Sequence, residues 1–321
     1  MYNETERSDA YKNRLIDFIR SEYMINPISI KPAKRGYFGE TWQLESGEKQ
    51  FFLKLDYTAL HGPIYENSFH IIEHLCRHGI DFVSKIIKTA DGRLFTHFDS
   101  AVLGVFDWID GENVQNKHTK IQEYEMLAKI YTVPPNNIFI PKETFSTISA
   151  DLFYAEWKRL KVAARDKTTK QLLTLFDQNE LKIKHRAERL ELFASRCDTN
   201  TSHFYITHGD AGGNLIVDDD KFYIIDWDEP RYAPPERDAW FCLHWNWAMD
   251  AFHGALHQNG INYTLRPERL AYYCYHMFFN YMVEYLTTYT TRDCKRYIFA
   301  AMTEFFSCWI EDNLIFADTI V

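Results

Sequence analysis

Residues 206–238, ITHGDAGGNLIVDDDKFYIIDWDEPRYAPPERD, limit the fold more than any other stretch of the chain. Two period-two apolar runs, Leu215-Ile216-Val217 and Phe222-Tyr223-Ile224-Ile225, flank the turn-forming Asp218-Asp219-Asp220-Lys221, which predicts a β-hairpin. Asp210 precedes the first strand and Asp226 follows the second. Strand pairing therefore brings both carboxylates to one end of the hairpin, with His208, Asn214 and Asp228 on the same two loops. Like charges held that close repel, and a divalent cation, a shared proton or a cationic partner relieves the repulsion. A polar loop pair on a surface hairpin is the plainer alternative that spacing leaves open.

Length and composition narrow the setting. A chain of 321 residues predicts two domains or lobes. Aromatic residues make up 16%, enough for a large globular core and too many for a disordered chain. The net charge of −9 argues against nucleic acid, whose phosphates want clustered Lys and Arg, and suits a cationic small molecule mildly better. The cysteines at 76, 197, 242, 274, 294 and 308 show no metal-knuckle or C-x-x-C spacing and read as reduced thiols. No eighteen-residue apolar run occurs and MYNETERSDAYKNR lacks an apolar core, so no membrane partner and a cytoplasmic location are expected.

Ahead of the hairpin, residues 10–24 space Leu15, Phe18, Ile19 and Tyr23 along one helical face, with Asn26-Pro27 as a stop. Strands at 28–30, 42–44 and 51–55 enclose a loop at 34–41 that carries Gly36 and Gly39. Such glycines let a backbone approach phosphates, and equally serve an ordinary turn. Lys54 stands in an otherwise apolar strand, so it must reach water from a sheet edge or meet an anion. A helix over 64–78 offers Glu66 as its partner, with Glu73 in reserve. The same helix puts His70, His74 and His78 on one face, as a metal-binding row or, more simply, a solvated one. Strands return over 82–106. They end in Asp107-Trp108-Ile109-Asp110-Gly111-Glu112, which reads as a boundary between lobes spanning 1–108 and 109–321. Helices then dominate, at 120–132, 151–165, 181–195, near Ala239 and over 267–315, with aromatic stripes that read as scaffold.

A β-rich lobe with a glycine loop and a strand lysine, a hinge-like turn, and a helical lobe with H-G-D and I-D-W-D loops resembles the aminoglycoside phosphotransferase and choline kinase family, which shares the protein-kinase-like fold. The resemblance runs in order along nearly the whole chain and is most specific over 206–238, where IDWDEPRYAPPERD looks most like the spectinomycin-phosphotransferase branch. It implies an α+β, bilobal fold with an antiparallel β-rich N-terminal lobe that binds nucleotide. The mostly helical C-terminal lobe would carry the catalytic loop, metal site and acceptor pocket.

The same resemblance implies roles residue by residue. Asp210 would be the catalytic aspartate; Asp226 and Asn214 would hold Mg2+; Lys54, positioned by Glu66, would meet the α/β-phosphates of ATP or GTP. Gly36 and Gly39 would line the phosphate loop, and Phe106, Asp107, Trp108 and Ile109 would offer hinge backbone groups to adenine. His208 and Asp238 would support the catalytic loop. Asp228, Glu229, Glu236 and Trp240 would contact the acceptor, an aminocyclitol antibiotic or another small, cationic molecule. A kinase of choline or homoserine, and a nucleotide-binding pseudokinase, are the alternatives.

Two departures qualify the resemblance. Three residues, Ala211 to Gly213, separate Asp210 from Asn214 where the family usually has four, which puts the role of Asn214 in question. Gly209 replaces the arginine that protein kinases use to read a phosphorylated activation loop, and eleven residues between Asp226 and Asp238 leave no room for a peptide-docking segment. Both features point to a small-molecule acceptor with no phosphorylation switch.

Overall fold

A computed structural model describes residues 7–33, 39–57, 62–163, 166–242, 245–291, 295–307 and 310–320. Gly36 lies outside the described residues. The chain forms two compact units, Met1–Pro141 with Tyr205–Tyr232, and Lys142–Phe204 with Ala233–Val321. Packing thus groups the hairpin and the segment up to 141 with the N-terminal strands, whereas the boundary read from the sequence falls at 108/109.

The first unit opens with α1 (Asp9–Tyr23), started by Ser8, whose side chain accepts the Tyr11 N–H, and stopped at Met24 in the left-handed region. Five strands follow: β1 (Ser29–Pro32), β2 (Glu40–Ser46), β3 (Lys49–Asp56), β4 (Thr96–Phe98) and β5 (Ala101–Asp107). They pair antiparallel in the order β1-β2-β3-β5-β4, which makes β3 the central strand. Side chains alternate across a strand, so the two faces of the sheet do different work. Trp42, Leu44, Leu53, Leu55, Leu103 and Val105 pack with Leu15, Ile19 and Tyr23 of α1 into one buried cluster. The opposite face carries Lys54, Gly104 and Phe106 and receives α2 (Gly62–Arg77), with Phe69 stacked on Phe106 at 5.5 Å. Gly104 has no room for a side chain, since a Cβ there would come within 2.4 Å of the Phe69 ring.

Several expectations for this unit shift. The strand expected at 94–95 forms at 96–98, and residues 83 and 86 make isolated bridges, Val83 to Ile224 and Ile86 to Phe106. The histidine row is not a metal site. His74 is buried and donates from Nε2 to Pro134 O (2.7 Å), and His78 Nδ1 bonds to His74 O (2.8 Å).

Beyond α3 (Lys117–Ile130), the expected hairpin forms from β7 (Leu215–Asp218) and β8 (Lys221–Ile224), preceded by β6 (Tyr205–Thr207) and followed by β9 (Arg231–Ala233). Leu215 faces Ile224 and Asp218 faces Lys221, so Asp219 and Asp220 form the turn, with Asp219 at φ +50°. Both outer edges are held. Glu112 and Val217 exchange N–H···O bonds of 3.0 and 2.8 Å, and Ile224 N–H donates to Phe82 O (2.9 Å). Gly111 permits the first contact, because a Cβ there would lie 2.4 Å from Val217 O.

The second unit contains α4 (Ile148–Ala163), α5 (Lys167–Gln178), α6 (Glu180–Arg196), α7 (Glu236–Ala239), α8 (Asn246–Gln258), α9 (Pro267–Thr291), α10 (Lys295–Ser307) and α11 (Glu311–Asp318). α9 buries Leu270, Tyr272, Tyr273, Tyr275, Phe278, Phe279 and Met282, a nearly all-round apolar surface that makes it the centre of this unit. Five of the aromatic residues expected to be scaffold, Tyr272, Tyr273, Tyr275, Phe278 and Phe279, are thus buried in it. The protein has the expected α+β arrangement, an antiparallel β-rich N-terminal part and a helical C-terminal part. No described helix is long and apolar enough to cross a membrane.

Candidate active site

Lys54 sits on the central strand, opposite Thr41 on one side and Gly104 on the other, so the edge position that would let it reach water is closed. Its side chain is 8% exposed. The anion it requires is supplied by the loop after the hairpin: Nζ lies 2.5 Å from Asp226 Oδ1 and also contacts Asp228 Oδ2. Burial opposes the ammonium charge, but Asp226 and Asp228 outweigh it and hold Lys54 above the ordinary lysine range. The converse holds at Asp226, whose side chain is 39% exposed: the surrounding protein favours the neutral acid, and Lys54 overcomes it, keeping the carboxyl below the usual carboxylate range. At formal charges, two carboxylates against one ammonium leave one negative charge in excess.

The backbone here is special at two points. Gly209 adopts φ +90°, which a side chain would disfavour, and lets H-G-D turn sharply out of β6. Asp226 adopts φ +63° in the left-handed region, which Asp tolerates better than most residues. Between them His208, 3% exposed, acts as a stitch. Its Nδ1 accepts the Asp210 N–H (3.2 Å) and its Nε2–H donates to Ile225 O (2.8 Å), so the ring ties the loop before β7 to the end of β8. Trp227, 2% exposed, packs edge-on against His208 at 4.6 Å and donates from Nε1 to Ile224 O (3.0 Å). The sequence offers His208 as this support; Trp227 it does not single out.

The short connection from Asp210 to Asn214 is a single tight turn, closed by Asn214 N–H to Ala211 O (2.9 Å). Asn214 Nδ2 donates to Asp210 O (2.7 Å) and reaches Asp210 Oδ2 at 3.5 Å. With its nitrogen turned to Asp210, the amide presents its carbonyl oxygen as the group left for a cation. Ile225 N–H donates to Asn214 O (2.9 Å), extending the hairpin ladder towards Asp226. Asp210, Asn214, Asp226 and Asp228 are thus held by one hairpin, with Asp210 exposed.

Other expected site residues are placed differently. Glu66 does not pair with Lys54; its Oε1 lies 2.8 Å from His97 Nε2. The cause is helix phase: Tyr65, 2% exposed, faces the sheet beside Lys54, whose Nζ lies 5.4 Å from its ring, and the next residue turns about 100° away. The reserve candidate Glu73 bonds Arg77 (2.9 Å) and Lys88 (2.7 Å). Glu66→Gln is therefore expected to change the nucleotide KM by no more than about 2-fold, as for a surface substitution, in steady-state kinetics.

At the hinge-like turn, Phe106 is in the β3–β5 ladder, Asp107 N–H donates to Lys85 O (2.9 Å) and Trp108 N–H to Gln50 O (3.3 Å). Ile109 is the hinge residue whose N–H has no hydrogen-bond partner among the described residues.

The acceptor candidates divide. Asp228 belongs with Lys54, and Glu229 is partly buried. Glu236 and Trp240 are corrected to structural residues of the second unit, at 0% and 3% exposure. Glu236 Oε1 accepts the Arg266 N–H (2.6 Å) and the Tyr263 hydroxyl (2.8 Å), which fixes the approach to α9, while Oε2 has no partner among the described residues. Burial raises the Glu236 carboxyl above its ordinary value despite these donors and Arg269. An acid raised on folding binds its proton more tightly in the folded state, so its contribution to stability is full at low pH and declines as pH climbs through the raised value. Glu236→Gln keeps an acceptor oxygen and removes the titration. Its melting temperature relative to wild type is expected to rise as pH climbs above the ordinary carboxylate range; a difference flat in pH would contradict this. Asp238 is buried on α7, at 7% exposure.

Comparison with known proteins adds three findings. A family model described as "Phosphotransferase enzyme family" matches residues 29–273. No curated protein sequence matches the chain. Among solved structures, spectinomycin phosphotransferase APH(9)-Ia in complex with ADP and spectinomycin is 22% identical, with 95% of this chain and 98% of that chain covered and a TM-score of 0.80. Amicoumacin kinase hAmiN in complex with AMP-PNP, Ca2+ and Ami is 13% identical over 96% and 94%, with a TM-score of 0.62. Choline kinase LicA from Streptococcus pneumoniae is 12% identical over 97% and 100%, with a TM-score of 0.56.

Proposed function

Because the chain belongs to the phosphotransferase enzyme family, we propose that it transfers the γ-phosphoryl group of ATP or GTP to a hydroxyl of a small, cationic acceptor such as an aminocyclitol. The observation that carries this reading is the buried Lys54 ammonium held by Asp226 and Asp228 on the hairpin that also presents Asp210 and Asn214. Phosphoryl transfer needs positioning and charge neutralisation more than covalent chemistry, and these groups provide both.

Lys54 meets the α/β-phosphates, and Asp210, exposed and stitched by His208, orients the acceptor hydroxyl and accepts its proton. The excess negative charge at Asp226 and Asp228, beside the Asn214 amide oxygen, fits a divalent cation. When bound, Mg2+ supplies neutralisation of phosphate charge; Asp226 and Asn214 would hold it. Ile109 is the hinge donor available to adenine. His208 supports the catalytic loop. Nucleotide binding is assigned to the lobe spanning 1–108, with Gly36 and Gly39 at the phosphates.

Similar folds that bind ADP with spectinomycin, or AMP-PNP with Ami, support a nucleotide and a small-molecule acceptor. The test is nucleoside-diphosphate release with Mg·ATP and Mg·GTP against spectinomycin, other aminoglycosides, choline and homoserine. Release stimulated by an aminocyclitol is the expected result. Stimulation by choline or homoserine alone would assign a metabolite kinase. Nucleotide binding without stimulation by any acceptor would assign a pseudokinase.

A further inference from the structure

Gly39, with φ +76°, closes the loop that the sequence places before β2, and the chain enters β2 at Glu40. Glu40 is 2% exposed, and a carboxylate taken out of water needs donors. Arg7 gives Oε2 both Nε (2.8 Å) and Nη2 (2.7 Å). Oε1 accepts from Tyr11 Oη (2.6 Å) and Trp42 Nε1 (2.7 Å). Having donated its only proton to Glu40, Tyr11 must accept from Tyr57, whose hydroxyl lies 2.6 Å away. The Arg7 guanidinium also stands 4.7 Å from the Tyr11 ring and 5.6 Å from the Tyr57 ring. Burial, the Glu40 carboxylate and Tyr57 together keep the Tyr11 hydroxyl protonated, well above the ordinary phenol range.

Four separate stretches converge here: the residue before the cap of α1, α1 itself, the start of β2 and the residue after β3. A buried ion pair is a weak device for stability, since an apolar cluster of the same size would serve as well or better, but it is a strong one for fixing a single arrangement. What it fixes is next to Lys54. Thr41 pairs with Lys54 and Glu40 with Leu55, and a Cβ on Gly39 would lie 2.5 Å from Leu55 O, so the exit of the loop runs directly over the residue after Lys54. Displacing Glu40 moves that exit.

We propose that Glu40, clamped by Arg7 and Tyr11, is a positioning residue that sets the backbone at Gly39–Glu40 against Lys54 and thereby tunes nucleotide affinity from the N-terminal arm. This rests on the reading of Lys54 as a nucleotide-phosphate contact. Arg7 is the accessible member, with a side chain 40% exposed, and can be removed without opening the core.

The experiment compares wild type with Arg7→Met, Arg7→Lys and Glu40→Gln in the full chain. Arg20→Met serves as a control, because Arg20 bonds Asp17 on the same helix and not Glu40. Mg·ATP and Mg·GTP dissociation constants, KM for nucleotide and acceptor, and melting temperature are measured for each. Arg7→Met is expected to weaken nucleotide binding about 5- to 20-fold, in the lower range of coupling between linked sites, with the acceptor KM unchanged. Arg7→Lys recovers part of the loss, since lysine restores charge without the two-pronged geometry. Glu40→Gln shifts affinity in the same direction. A folded Arg7→Met protein with wild-type nucleotide affinity, or one that loses only melting temperature, overturns the proposal. Wild type binding neither nucleotide overturns the phosphotransfer reading itself, an outcome visible before any variant is compared.

Discussion

Asp210→Asn is expected to lower kcat by on the order of 10²- to 10⁴-fold, the range for removing a positioned general base, while nucleotide affinity stays within about 3-fold. The split follows from the geometry. Asp210 meets His208 and Asn214 through its backbone, Asn214 Nδ2 also reaches its Oδ2 at 3.5 Å, and it is exposed, whereas Lys54, which would meet the nucleotide phosphates, is held by Asp226 and Asp228. Asparagine preserves the N–H that His208 accepts and the backbone oxygen that Asn214 binds, so the loop should keep its shape. Steady-state kinetics beside direct nucleotide binding separates the two quantities. Equal turnover in the variant would remove Asp210 from the chemistry.

Asp226→Ala has the second large effect. Lys54 would keep Asp228, so the buried ammonium would not be orphaned, and the protein should remain folded. Phosphoryl transfer is nevertheless expected to fall on the order of 10³-fold, comparable to deleting a preorganised charge stabiliser. Saturating Mg2+ should not restore it, because the carboxylate that would hold the ion is gone. Titrating activity against Mg2+ for wild type and variant is the check; an unchanged metal dependence would move the metal site away from Asp226.

The parts of the site legible in the sequence are those encoded locally. Period-two apolar runs and a run of aspartates specify the hairpin, and the hairpin alone brings Asp210, Asn214 and Asp226 to one end. Lys54 stood out because a charge in an apolar strand demands a partner. Which partner it takes depends on helix phase and on contact between residues 172 and 174 positions apart, and neither is a local property. The phase was in fact recoverable: Tyr65, Phe69 and Ile72 share the buried face of α2, which excludes Glu66 from it. Glu236 misleads for another reason. An acid on a short helix reads as solvent-facing until its partners are known, and Tyr263 and Arg266 come 27 and 30 residues later. The three-residue link to Asn214 looked too short from the family pattern, yet the turn at Ala211–Gly213 still brings the amide against Asp210.

Phosphotransfer of this kind leaves a nucleotide's terminal phosphoryl group on an acceptor hydroxyl. Incubating the protein with Mg·ATP or Mg·GTP and each acceptor of the panel, and following products by phosphorus NMR and mass spectrometry, tests it directly. The expected result is a phosphate monoester on one acceptor, formed in equal amount with nucleoside diphosphate and absent with Asp210→Asn. Nucleotide that is bound but never consumed, or converted only to free phosphate whatever acceptor is present, would contradict it.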